Sequence, residues 1–298
     1  MKNKKISKLI TKKIFSLCRY VFFIAFSFIV LYPFIYIVIN SLKGVSDFTD
    51  PVVQWVPKEI YFGNFPLAAK VFDIWKSVGN TLIIEILASL LQFCSCAIAA
   101  YGLARFDFKG KKILLGIMIV NILVPPMMII TPSYVNYSWM NIVDTPWAFY
   151  LPSIFGVGLK GGFFIFIFTQ FYKKLPKELE EAAWVDGAGP WRTFFSIAVP
   201  NSGPAAITVL LFSIVWHWND FYLAQMFNSN NPTFSVAINN FTENTVAAAL
   251  GVDQALGKSL AVPILLAGCL LFVIPLVVLY AFIQKKFIAS VTTSGITG

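Results

Sequence analysis

Charge is what this sequence has least of. Asp, Glu, Lys and Arg make up 12% of its 298 residues, about half the share usual in soluble domains. The chain is 58% hydrophobic with a mean hydropathy of +0.74. One soluble core of this length cannot hide that much apolar surface, and lipid is its natural solvent. Chemistry-bearing motifs are missing too. There is no GxxxxGK phosphate loop, no HExxH zinc helix and no nucleophile elbow, so neither catalysis nor a cofactor of its own is expected. Cys18, Cys94, Cys96 and Cys269 show no metal-ligand spacing and no disulfide framework. Three lie inside apolar runs and one just before the first, which points to packing. The alternating pattern of a membrane β-barrel is absent, as are internal repeats and low-complexity segments. The net charge of +9 does not point to nucleic acid, because the basic residues fall between apolar runs instead of forming one stripe. The run from Tyr20 to Leu42 is too long for a signal-peptide core and no small-residue cleavage site follows it, so it reads as a retained first span.

Six apolar stretches are present, at roughly 20–42, 79–103, 113–131, 148–172, 203–225 and 259–284. A span needs about 20 mostly apolar residues, and with this pattern only helices satisfy their own backbone in lipid. The expected fold is therefore all-α, a polytopic membrane protein with six transmembrane helices. It divides into a basic tail over 1–19 and a single six-helix domain over 20–298, with residues 43–78 an external loop long enough for short helices. The N-terminal tail, the loops at 104–112 and 173–200 and the C-terminal end carry 17 of the 23 basic residues. The 132–147 loop has none and the 226–258 loop has only Lys258. The positive-inside rule puts both termini and the two basic loops in the cytoplasm. Two spans are interrupted, the third by Val124-Pro125-Pro126 and the fourth by Gly156, Gly158, Gly161 and Gly162 around Lys160. Broken helices at membrane depth line a cavity or are covered by protein; for Pro125-Pro126 a plain kink is an equal reading.

Between the fourth and fifth spans stands EEAAWVDGAG, residues 180–189. Pro176 suits the first turn of a helix, and Glu178, Glu180 and Glu181 follow where the helix dipole favours acids. Ala182 and Ala183 form helix without bulk. Gly187 and Gly189 permit a sharp turn. Pro190 opens a second short helix with Trp191, Phe194, Phe195 and Ile197 on its apolar face, and Pro200 ends it. The spacing of Glu181-Ala182-Ala183, Gly187, Ile197 and Pro200 resembles the EAA loop of ATP-binding-cassette importer permeases; Val199 stands where leucine is usual. The longer run LPKELEEAAWVDGAGPWRTFFSIAVP is similar to the carbohydrate-uptake branch of that family, the MalG-like type. So are AAYGLARFDFKGKK (99–112), LVPPMMIITPSY (123–134), WNDF (218–221) and FIASVTTSGITG (287–298), and the likeness covers nearly the whole chain. In the tail, Thr297 stands where a lysine is usual and Ala289-Ser290 where a glycine is common.

That resemblance implies the type I importer permease fold in a bacterial cytoplasmic membrane. It implies four kinds of partner: a second, non-identical permease, two cytoplasmic ATPases, an extracellular or periplasmic solute-binding protein, and a sugar as substrate. It makes Glu181, Ala182, Ala183, Asp186, Gly187, Ile197 and Pro200 the residues that couple to the ATPase. Importers of another solute, such as peptide or phosphate, have a similar loop. A secondary transporter acting alone predicts paired charges at the midplane and usually a repeat, neither of which is visible.

Ionisable residues within spans mark pathways. Glu85 lies near the outer end of the second span and Lys160 in the glycine-rich break. His217, Trp218, Asn219 and Asp220 lie toward the outer end of the fifth. Lys160 and these four are the substrate-path candidates. The segment WHWNDFY reads equally as an interfacial aromatic belt or as a sugar-facing patch. Consecutive helical residues are about 100° apart, so the four cannot all face one way; His217 and Asp220, three apart, share a face. Lys160 either snorkels or pairs internally, or it meets an acidic group of the substrate.

Overall fold

The computed structural model describes the backbone of residues 2–295 and the side chains of 12–48 and 50–287. The tail positions Ala289, Ser290 and Thr297 lie outside the described side chains. Among the described residues every regular element is a helix. Helix α1 (Lys2–Ser41) joins the basic tail and the first span into one 40-residue rod. Three short helices follow: α2 (Val45–Thr49), α3 (Asn64–Val71) and α4 (Ile74–Thr81). A π-helical turn at Leu82–Ile86 carries α4 into α5 (Leu87–Arg105), which makes one apolar helix of 32 residues. Next come α6 (Lys111–Leu123), α7 (Pro126–Trp139), α8 (Trp147–Ile154) and α9 (Gly161–Lys174). The loop expected to be polar and helical holds α10 (Glu178–Val185), α11 (Pro190–Thr193), a second π-helical turn at Phe194–Ala198, and α12 (Val199–Asn201). The chain closes with α13 (Gly203–Asn219), α14 (Tyr222–Phe227), α15 (Phe234–Asn239), α16 (Glu243–Leu250) and α17 (Gln254–Gly295).

The six apolar stretches differ in continuity. Among the described residues three helices, over 12–41, 74–105 and 254–287, are long and apolar enough to cross a membrane, or up to five if each of two bent pairs is one span. The third stretch does not run straight to residue 131. It turns by 106° between α6 and α7, because Pro125 and Pro126 offer no N–H and hold Val124 at φ −74°, ψ 119°. The fourth is cut in two. After α8 ends, Gly156 and Lys160 take left-handed φ values of +71° and +60°, and α9 starts again at Gly161. The fifth stops at Asn219, where Asp220 opens to ψ 117°, instead of continuing to residue 225. Chain direction also changes by 82° between α12 and α13.

Two compact units are present, one of residues up to Val71 with Thr242–Leu271, the other of Phe72–Phe241 with the chain from Phe272. In the first, the Nζ of buried Lys43 donates to the carbonyls of Val53 and Gln54 at 2.9 and 2.8 Å. Asn64 Nδ2 donates to the carbonyls of Ser41 and Lys43, both at 2.8 Å. These bonds satisfy buried backbone that no helix serves. Along α1 the apolar side chains, from Tyr20 through Phe34, are exposed.

In the second unit the core is built on α5, α9 and α13. Cys96, Ala97, Ala100 and Tyr101 meet Phe164, Phe168 and Tyr172, with Phe194, Ala198, Ala205 and Val209 closing the cluster. Phe164, Phe168 and Tyr172 recur every four residues and so form one helical face. Small residues on α5 let that aromatic face approach closely, as between helices in lipid. Gly162 does the same for α6 and α9: a Cβ there would stand 2.7 Å from Asn121 Oδ1 and 3.0 Å from the Met118 carbonyl. Of the cysteines only Cys96 is fully packed; Cys269 is half-buried, and Cys18 and Cys94 are exposed on outward faces of their helices.

Candidate functional site

The 173–200 loop folds as a helical knob. α10 begins at Glu178, with Lys177 before it, two residues later than Pro176 suggested. Leu175, the residue before the proline, is held extended at φ −65°, ψ 134°, as the proline ring requires. Glu178, Glu180 and Glu181 occupy the first turn of α10. At its other end Gly187 has φ +81°, and the Ala188 N–H donates to the Ala183 carbonyl at 2.9 Å, a left-handed helix stop. Gly189 is ordinary extended backbone, φ −75° and ψ 171°, so only the first of the two glycines needs its conformational freedom. Trp184 Nε1 donates to Thr193 Oγ1 at 3.1 Å, and that hydroxyl donates to the Gly189 carbonyl at 3.1 Å, which ties α10 to α11. Pro200 does not end the second helix. It sits in the first turn of α12, where a missing N–H is tolerated.

Beneath the knob is an ion pair that sequence reasoning missed. Arg105 Nε lies 2.9 Å from Glu180 Oε1, and the two side chains are only 4% and 3% exposed. Arg105 also donates to the Leu175 carbonyl at 2.9 Å, and the Tyr101 hydroxyl to Glu180 Oε2 at 3.4 Å. The acid that anchors the loop is thus Glu180; Glu181, Ala182 and Asp186 are exposed, and Ala183 and Ile197 are half-buried. Outward from the anchor stand Val185, 88% exposed, Trp191, 64%, and Phe195, 59%. Phe194, expected on the same apolar face, turns inward to the core.

The second place is a cavity of about 190 Å³ in the same unit. Its wall includes Asn121, Ser133 and Tyr137 from α6 and α7, Ser153 from α8, Lys160 and Phe163 at the glycine-rich break, and Trp216, His217 and Asp220. Three of the five path candidates therefore meet here. Lys160 Nζ stands 5.8 Å from the centre of the Trp216 ring. Asp220 Oδ1 accepts from the Leu223 N–H at 3.3 Å while its buried Oδ2 has no partner, and the buried Ser153 Oγ has none either. Trp218 and Asn219 are elsewhere. Trp218 is buried against Phe272 and donates to its carbonyl at 3.2 Å; exposed Asn219 bonds the Val215 carbonyl at 2.7 Å. Behind the cavity wall, His217 Nδ1 lies 3.1 Å from Glu85 Oε2 and Nε2 lies 3.0 Å from Gln92 Oε1. Glu85 lies eleven residues into the helix over 74–105, in its π-helical turn. The signal for this cluster is in the sequence: Glu85, Ser89 and Gln92, at i, i+4 and i+7, form a polar stripe in an apolar helix.

Residues 92–293 match the model of a family described as the binding-protein-dependent transport system inner membrane component. The chain belongs to that family. Several similar proteins have permease names and align along most of their length. The melibiose/raffinose/stachyose import permease protein MelC of Bacillus subtilis is 29% identical, over 89% of this chain and 91% of its own. The trehalose transport system permease protein SugB of Mycobacterium tuberculosis is 28% identical, over 90% and 93%. The diacetylchitobiose uptake system permease protein NgcG of Streptomyces coelicolor is 26% identical, over 93% and 88%. Among solved structures, a chain of a bacterial ABC transporter involved in the import of the acidic polysaccharide alginate superposes with a TM-score of 0.75. It has 21% identity, and the match covers 93% of this chain and 98% of that one, so the permease fold is shared. This permease is thus a multi-pass membrane protein with the knob, the cavity wall and Gln92 inside the matched region. Glu85 lies just outside it.

Proposed function

We propose that this permease forms half of the translocation pathway of an ATP-driven, binding-protein-dependent carbohydrate importer. The knob carries the reading. A stiff helix–turn–helix, anchored underneath by Arg105–Glu180 and presenting Val185, Trp191 and Phe195 outward, has the form of a lever to be gripped by another protein. Glu181, Ala182, Ala183, Asp186, Gly187, Ile197 and Pro200 form its contact and its frame. The gripping partner is one of two cytoplasmic ATPases, which accounts for the lack of any nucleotide loop here. Their closure on ATP moves the knob and, through α9 and α13, the cavity. A second, different permease supplies the other half of the pathway, and an extracellular binding protein delivers the solute. The knob side and both termini are cytoplasmic. The carbohydrate assignment is supported by the sugars in the names of MelC, SugB and NgcG. Lys160, His217 and Asp220 face the path; Trp218 and Asn219 hold the helix end beside it.

The test is uptake in bacteria lacking only this chain, with labelled oligosaccharides, peptides and phosphate. Loss of ATP-dependent oligosaccharide uptake, restored by the chain, is the expected result. Loss of peptide or phosphate uptake alone would overturn the substrate class, and uptake that persists without the ATPases would overturn the mechanism.

A further inference from the structure

Gln92, on α5, bonds two other segments at once. Its Nε2 donates to the Leu159 carbonyl at 2.7 Å, and its Oε1 is the partner of His217 Nε2. The turn between α8 and α9 closes around this amide. A Cβ on Gly158 would stand 2.7 Å from Gln92 Oε1, and one on Gly161 would stand 3.3 Å from Gln92 Nε2. Lys160 leaves this turn in the left-handed conformation, a strained state for a residue with a Cβ. Such a state persists where surrounding bonds over-determine it.

The direction of the bonds follows from their ends. A carbonyl only accepts, so the Gln92 NH2 faces Leu159 and its oxygen faces His217. An amide oxygen also only accepts, so His217 Nε2 carries a proton. One further proton then lies between His217 Nδ1 and Glu85 Oε2, and the pair is net neutral on whichever atom it sits. One turn earlier, Ser213 Oγ donates to the Ser89 carbonyl at 3.2 Å, a second fastening of α13 to α5. The chain of bonds runs from the π-helical turn through His217 and Gln92 to the backbone that presents Lys160.

We infer that Glu85 and Gln92 are positioning residues: with His217 they form a hydrogen-bonded chain that holds the 155–160 turn, and Lys160 on it, against the cavity. Neither residue needs to touch the solute. What the chain does for transport rests on the carbohydrate-import reading; the geometry of the turn does not.

The experiment uses the full permease in its complex, with the native cysteines replaced and Lys160→Cys as a reporter. Its rate of modification by a small thiol reagent reads the turn directly. Gln92→Leu and Glu85→Leu are expected to change that rate by roughly tenfold, the equivalent of one lost hydrogen bond. Glu85→Gln keeps a donor toward Nδ1 and a neutral pair, so it should leave the rate at the reference value. If Gln92→Leu fails to accumulate in the membrane, Gln92→Met, close to glutamine in length and without its amide donor and acceptor, decides in its place. With Lys160 restored, the leucine variants should raise the apparent KM for sugar more than they lower kcat. Flat thiol rates in the leucine variants, or a Glu85→Gln variant as altered as Glu85→Leu, overturn the inference. Failure of the import reading looks different, because wild-type sugar uptake is then absent while the thiol rates still respond.

Discussion

Two acids one position apart in the chain have opposite surroundings, and that difference decides what each can do. Glu180 is buried against Arg105 and Glu181 is exposed. Removing one member of a buried ion pair leaves the other charge uncompensated and costs about 3–5 kcal/mol. Glu180→Gln should therefore lower the melting temperature of the detergent-solubilised permease, with less protein recovered from the membrane. Glu181→Gln should melt with the wild type and act only on ATPase binding, read by co-purification. Equal melting of the two variants would remove Glu180 as the anchor. Gly187 poses a separate question of backbone. Its φ is +81°, yet nothing stands within 4 Å of a Cβ added there, so any harm from substitution is conformational. A left-handed L-residue costs about 1–2 kcal/mol, more when β-branched, and asparagine is the best tolerated. Gly187→Val should insert normally and hold the ATPase weakly, with transport lost; Gly187→Asn should retain both. Transport at the wild-type rate in the valine variant would rule out the knob as the coupling element.

At the scale of elements, the break between α8 and α9 has the most exact steric requirement. A Cβ on Gly161 would fall 2.1 Å from the Gly156 carbonyl oxygen, which is backbone and cannot swing aside. The atoms facing Gly158, Gln92 Oε1 at 2.7 Å and Ser153 Oγ at 2.9 Å, are side-chain ends that can shift, at a cost to the Gln92 hydrogen bonds, and Gly203 faces open space. Overpacking of this kind costs about 1–3 kcal/mol. Thermal unfolding in detergent should therefore rank Gly161→Ala lowest, Gly158→Ala next and Gly203→Ala level with the wild type. Any other order would mean that the turn closes differently. This break also shows what was legible beforehand. Glycines around Lys160 and the Pro125-Pro126 pair announced interruptions, because local backbone chemistry acts within a few residues. The face shared by His217 and Asp220 followed from helical period, and both line the cavity. The polar stripe of Glu85, Ser89 and Gln92 was legible but its pairing with His217 was not, because Glu85 and Gln92 lie more than a hundred residues earlier and only packing against α13 brings them together. Arg105 and Glu180 were hidden for the same reason. Glu180 read as one more acid in a helix's first turn, and nothing local distinguishes the buried acid from the exposed one.

For the whole molecule, apolar length and charge asymmetry were readable as a multi-pass membrane protein, since lipid imposes them along the chain without reference to tertiary contacts. The count of continuous spans was less so, because a bent pair and a straight helix have the same composition. Sidedness is the property on which the coupling assignment depends: a knob on the outer face could not meet a cytoplasmic ATPase. Single cysteines in a background without Cys18, Cys94, Cys96 and Cys269 report it. The inner reporter is Lys174, exposed at the end of α9. For the outer reporter Asn141 is a poor choice, because its φ of +54° suits asparagine and strains cysteine. Met140 beside it is 53% exposed with φ −82°, and it belongs to the same 132–147 loop without a basic residue. An impermeant thiol reagent added to intact cells (spheroplasts where an outer membrane intervenes) should label Met140→Cys, and should label Lys174→Cys only after permeabilisation. In that variant two basic residues, Lys173 and Lys177, still flank the second position, and each opposes translocation of that loop. Moving positive charge into the 132–147 loop while neutralising those two should weaken the preference and let Lys174→Cys begin to label from outside. Labelling of Lys174→Cys in intact cells without that change would invert the topology and place the knob beyond reach of any ATPase.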